Sequence, residues 1–173
     1  MTDDTFAKDV RNYVLDYIKH SDAKVAALLT AVGLLGAGVW AVADRTIAAA
    51  LARHSTLGLV AIVASLAWVT ISLVLTLIFS AQALIPRVPK AAASLASFPD
   101  IASNTQAWYV EQIAQLKDAE AMSAEYAAHA WTLSKINMEK TVAISRAVKW
   151  IITATLGSLL VLIVNTCTRC AWP

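Results

Sequence analysis

Apolar and polar residues follow one another along this chain in long blocks. Residues 25–43, 55–86 and 150–168 contain no Asp, Glu, Lys, Arg or His, and charged positions flank each block. A helix rises ~1.5 Å per residue and a bilayer's hydrocarbon core is about 30 Å thick, so each block is long enough to cross it. A segment in lipid must satisfy its own backbone groups, and nothing alternates with the two-residue period of a barrel strand. The pattern predicts an all-α integral membrane protein with three transmembrane helices and a helical cytoplasmic region.

Finer periodicity fills in the rest. Phe6, Val10, Tyr13, Val14, Tyr17 and Ile18 recur at three- and four-residue steps, with Lys8, Asp9, Arg11, Asp16 and Lys19 mostly elsewhere. This predicts an amphipathic cytoplasmic helix over 1–22. Its charged face is not predominantly basic, so it is expected to pack on other helices rather than lie on lipid. The spans are placed at 25–43, 57–85 and 149–168, with an outer loop at 44–56, a cytoplasmic helical region at 86–148 and an outer tail at 169–173. Pro86, Pro89 and Pro99 surround a small-residue stretch, 91–97, that holds one short helix. Beyond Asn104 the pattern is strongly helical. A junction near Ser123, acting as an N-cap, divides this part, and its second helix runs without a breaker into the last span. In the first span Ala26, Thr30, Gly33 and Ala37 share a face that lets another helix approach closely. Gly33, Gly36 and Gly38 lie inside an apolar helix, not after a strand, and so read as packing residues rather than a phosphate loop.

Composition narrows the function. With 173 residues, 58% apolar and 15% charged, no large soluble enzyme fits beside three spans. The 14 basic and 12 acidic residues are mixed, leaving a formal charge of +2 and no basic block, so no nucleic-acid partner is expected. Acidic residues precede the first apolar block, which argues against a cleaved signal and keeps the first span in the mature protein. Lys24, Arg87, Arg146 and Lys149 lie nearest the membrane ends on one side, which places the N-terminus in the cytoplasm and the C-terminus outside. Cys167 and Cys170 then stand at the outer end of the third span. They read as a local disulfide, an intermolecular crosslink or two unrelated thiols; with no second pair and no nearby His, they do not make a zinc site.

Candidate chemistry is sparse. His20, His54 and His129 are far apart, and no metal spacing, nucleophile elbow or phosphate loop occurs, so neither an enzyme, a metal nor a cofactor is expected. The spans carry no ionisable residue at their centres, which disfavours active transport. Ser65, Ser72, Thr76 and Ser80 share one face of the second span, and Thr155, Ser158 and Asn165 recur in the third. Such hydroxyls bond back to their own helix or link neighbouring helices; alternatively they line a path for water or ions in an oligomer.

Two segments resemble a known family. Ser21-Asp22-Ala23-Lys24-Val25-Ala26-Ala27-Leu28-Leu29, where Asp-x-Lys leads into the first span, is similar to the N-terminal signature of the Pycsar transmembrane effectors, PycTM. Leu133-Ser134-Lys135-Ile136-Asn137-Met138-Glu139-Lys140, just ahead of the last span, resembles a second segment of that family, and the order of elements matches across nearly the whole chain. The SLATT membrane effectors share much of this layout. The resemblance to PycTM implies a bacterial anti-phage effector in the inner membrane. It implies a partner pyrimidine cyclase that makes cUMP or cCMP on infection, and membrane damage that arrests or kills the infected cell. An anionic phosphate and an aromatic base call for cations and a ring. The cytoplasmic candidates are Lys24, Arg87, Lys135, Lys140 and Arg146 with Trp108, Tyr109 and Trp131. Their plain alternatives are membrane-flank charges and core or interface anchors. Asp22 has its own alternative role, pairing with Lys24 or Lys140 to set helix geometry. The expected partners are lipid, further copies of the chain and, functionally, the cyclase. Competing readings are a membrane scaffold without a nucleotide ligand, a protein-triggered SLATT-like pore former, and an unregulated holin-type toxin.

Overall fold

The computed structural model describes residues 3–52, 56–85, 95, 104–116 and 118–170, and every regular element among them is helical. Four helices are described: α1, Asp3–Ala52; α2, Thr56–Leu84; α3, Gln106–Gln115; and α4, Ala119–Cys170. Three of them, α1, α2 and α4, are long and apolar enough to cross a membrane. The chain is therefore a multi-pass membrane protein. Arg87, the short helix expected within 91–97 and the tail end 171–173 lie outside the described residues, as do the side chains of Cys167 and Cys170.

Three expectations need correction. The amphipathic segment and the first span are one unbroken helix of 50 residues, and α1 continues through most of the expected outer loop 44–56, to Ala52. The cause is composition: residues 44–52 are Ala-rich and contain neither Gly nor Pro, so nothing stops the helix. The junction near Ser123 is also misplaced. Ser123 lies inside α4, and one helix ends at Gln115 while the next begins at Ala119, where the Asp118 carboxylate accepts from the Ala121 backbone N–H at 2.7 Å and caps the new helix. Thr105 caps α3 in the same way, accepting from the Trp108 N–H at 3.2 Å. Finally, Ala26, Thr30, Gly33 and Ala37 are exposed, so the small-residue face is not the one α1 packs with. Its branched neighbours offer more apolar contact and take that role.

The chain divides into two units, Met1–Asp22 with Ile85–Thr141, and Ala23–Leu84 with Val142–Pro173. In the second, the membrane unit, inward positions step alternately by three and four. Val25, Leu28, Val32, Leu35, Val39 and Val42 do so on α1; Ile62, Ser65, Val69, Ser72, Thr76, Phe79 and Ala83 on α2; Ala143, Ala147, Trp150, Ala154, Gly157 and Val161 on α4. This is the 3.5-residue period of helices that wrap shallowly around one another. Two apolar clusters result, Val25 with Ala83, Ala143 and Ile144, and Val32 with Val69, Leu73 and Ala154. Large side chains on the other faces, such as Leu34, Trp40, Leu156 and Ile163, point outward, as lipid permits.

At Gly157 α4 lies hard against α2. A Cβ built there would stand 2.8 Å from Val69 Cγ2 and 3.1 Å from Trp68 Cδ1, whereas one at Gly33 would meet nothing within 4 Å. Val69 is fully buried and β-branched, so it has no low-cost rotamer into which to retreat. Gly157→Ala should destabilise the helical bundle by about 1–3 kcal/mol, read as a lower unfolding midpoint in detergent, and Gly33→Ala should not. Equal midpoints for the two variants would contradict this packing.

Candidate functional site

Polar side chains gather in the first unit on the α1 stripe Ala7, Arg11, Val14, Ile18 and Ser21, which is buried or half-buried against the unit's other residues. Its polar members meet partners on α4. The Ser21 hydroxyl shares its proton between the Tyr17 carbonyl at 3.1 Å and Asn137 Oδ1 at 3.3 Å. One residue on, Asp22 accepts from Lys140 Nζ at 2.6 Å. The Lys140 side chain is only 12% exposed and that of Asp22 46%, so the ammonium has left most of its water behind and the carboxylate has not. Ser21 and Asp22 belong to the first segment singled out in the sequence, Asn137 and Lys140 to the second. The two segments therefore join across 116 and 118 residues of chain.

Farther along the same helices, Arg11 Nε donates to Nδ1 of His129 at 3.2 Å, and the Arg11 guanidinium lies 5.7 Å from the centre of the Tyr126 ring. An imidazole accepting at Nδ1 is neutral, with its proton on Nε2. Burial lowers the His129 pKa first, the Arg11 charge lowers it further, and Glu125 opposes both. Nothing local in the sequence marked Arg11 or His129 as partners, because each is polar on an otherwise ordinary amphipathic helix.

The remaining cations are distributed. Lys135 lies 5.4 Å from the centre of the Trp131 ring on α4, and both residues are exposed. Lys24 is exposed on α1, and Trp108 and Tyr109 are half-buried on α3. Arg146 belongs to the membrane unit, its guanidinium 5.9 Å from the Phe79 ring centre. Two apolar clefts open in that unit, and neither is lined by Lys24, Trp108, Lys135, Lys140 or Arg146.

The hydroxyl column of α2 faces inward. Ser72, Thr76 and Ser80 are all fully buried. Thr76 donates to the Ser72 carbonyl at 2.8 Å, and Ser65 to Ala61 at 2.8 Å. Thr153 on α4 reaches Ser72 Oγ at 3.4 Å, a helix-to-helix link that sequence reasoning missed. Ser80 Oγ finds no hydrogen-bond partner among the described residues. On α4, Thr155 and Ser158 donate to the carbonyls of Ile151 and Ala154, both at 2.8 Å; Ser158 is buried, Thr155 exposed and Asn165 half-buried. In this arrangement Ser72, Thr76 and Ser80 of the α2 column pack inside the bundle.

Two outcomes follow. Asp22→Ala leaves the nearly buried Lys140 ammonium without its carboxylate, which should cost about 1–3 kcal/mol, whereas Asp22→Lys combined with Lys140→Asp should recover part of the loss; unfolding of the full chain in detergent measures both. The second outcome concerns pH. The fold favours neutral His129, so the unfolded chain takes up a proton first as pH falls. The stability it contributes is present above its usual value of 6.5 and is lost as pH falls through the lowered folded value. Limited proteolysis at the start of α1 should therefore quicken between pH 7.5 and about 5.5, and His129→Gln should flatten that dependence.

The sequence profile of the Pycsar effector protein domain, PycTM, matches residues 6–167. Neither the curated proteins nor the solved structures gave a significant match.

Proposed function

Because this chain belongs to the Pycsar effector family PycTM, an anti-phage transmembrane effector family whose systems include a cyclase, we propose that it answers a cyclic pyrimidine mononucleotide by disrupting the inner membrane. The nucleotide is cUMP or cCMP, and the infected cell stops growing or dies. The protein acts without catalysis, as an oligomer of identical chains in the bacterial inner membrane, its N-terminus cytoplasmic and its C-terminus outside.

The observation that carries this reading is the Asp22–Lys140 pair, which joins the two family-like segments through a single carboxylate. A cyclic nucleotide brings one phosphate charge, and a phosphate offers Lys140 the same kind of charge-assisted bond that Asp22 does. Ligand and Asp22 then compete. Binding is favoured where Asp22 has let go, so the nucleotide selects an arrangement in which α1 and α4 are no longer tied at this point. Lys135 with Trp131, in the same unit as Lys140, offers a second cation beside a ring. Since α4 runs unbroken from Ala119 to Cys170, a turn of its cytoplasmic end is carried along the same helix toward the buried hydroxyls.

Calorimetric titration of the detergent-solubilised full chain with cUMP, cCMP, cAMP and cGMP tests this. Selective binding of a pyrimidine nucleotide is expected, weakened at least tenfold by Lys140→Gln and strengthened by Asp22→Asn, which removes the competitor. Equal binding of purines, or none by folded protein, overturns the nucleotide reading. In cells, expression should be tolerated without the nucleotide and toxic with it; toxicity on expression alone would favour an unregulated pore former.

A further inference from the structure

The membrane unit holds cations with no carboxylate to match them. Across Ala23–Leu84 and Val142–Pro173 the sole Asp or Glu is Asp44, toward the far end of α1, and α4 has none beyond Glu139. At the opposite end of the unit, Arg146 and Lys149 are exposed three residues apart on α4 and so share a face. Neither forms an ion pair among the described residues. The Arg146 guanidinium stands 5.9 Å from the centre of the Phe79 ring, a separation at which cation and ring attract. Phe79 lies inside the charge-free block 55–86, and Lys149 immediately precedes the charge-free block of α4. The pair therefore marks the height at which the hydrocarbon begins, which is where the phosphates of a bilayer lie. Past Lys149 the same face turns apolar: Ile152 and Leu156 follow at steps of three and four, 53% and 61% exposed. An apolar cleft between α2 and α4, lined by Trp68, Leu156, Gly157 and Leu160, opens there.

We propose that Arg146 and Lys149 bind the phosphate of an anionic phospholipid whose acyl chain runs along Ile152 and Leu156 into this cleft. Charge complementarity requires an anion, since the unit supplies no acid at this end. The apolar strip that follows on the same helix face selects lipid over a soluble anion. Inorganic phosphate or a free nucleotide would match the two cations and leave Ile152, Leu156 and the cleft bare; a phospholipid meets both with one molecule. The guanidinium brings a fork that fits two phosphate oxygens, and Lys149 adds a point charge beside it. A headgroup with net negative charge is preferred to a zwitterionic one, which would carry its own cation toward the pair. This site lies wholly within the membrane unit and does not rest on the nucleotide reading.

Native mass spectrometry of the detergent-solubilised full chain, with added phosphatidylglycerol or phosphatidylcholine, tests it. Phosphatidylglycerol should be retained in preference. Arg146→Gln and Lys149→Gln should each cut its retention roughly fivefold, the worth of one basic residue beside an anionic headgroup. Arg146→Lys keeps the charge without the fork and should fall between. Arg45→Gln, which removes an exposed cation at the other end of the unit, should change nothing, and Leu156→Ser should weaken retention of phosphatidylglycerol with both cations intact. Equal retention of the two lipids, an equal loss with Arg45→Gln, or displacement of phosphatidylglycerol by glycerol 3-phosphate, a soluble anion with the same phosphate, would each overturn the lipid site. The result stands apart from the cyclic-nucleotide titrations, which read Lys140 in the other unit.

Discussion

The rest of the structure depends on a spacing. Inward positions recur every 3.5 residues on all three long helices, and in the membrane unit this is the interval that keeps one stripe of each helix facing its neighbours over several turns. Lipid supplies no hydrophobic drive between spans, so close contact must come from shape. The stripes accordingly hold small, β-branched or hydroxyl side chains, and Gly157 lets α4 sit against Val69 and Trp68 at a distance no other residue type permits. The buried hydroxyls fit the same constraint. Thr76 satisfies itself on its own helix and Thr153 reaches across to Ser72, so these polar groups occupy little volume and strand few unpaired atoms.

The unit formed by Met1–Asp22 with Ile85–Thr141 obeys the same spacing with a different chemistry. Where α1 leaves the apolar block, its stripe carries Arg11 and Ser21, and these with neighbouring Asp22 are matched one by one to His129, Asn137 and Lys140. Such contacts are directional and cost free energy when half-made, so they specify which turn of one helix faces which turn of the other.

Composition and periodicity alone determined the all-α class and the number of spans, because the hydrocarbon core imposes length and freedom from charge on any sequence that crosses it; which stripe of α1 turns inward they did not, since the small-residue face that sequence favours is exposed. Asp22 and Lys140 were visible as candidates, since each stood beside a span in a segment with family character; that they bind each other was one alternative among several. Only the tertiary structure decided that, and for a physical reason: an ion pair between residues 118 apart is set by how two long helices align, and local sequence carries no record of alignment. The same holds for His129, whose pKa is lowered first by burial and then by a guanidinium 118 residues away in the chain, and for Gly157, one of several glycines alike in sequence and distinguished only by the helix that lies against it.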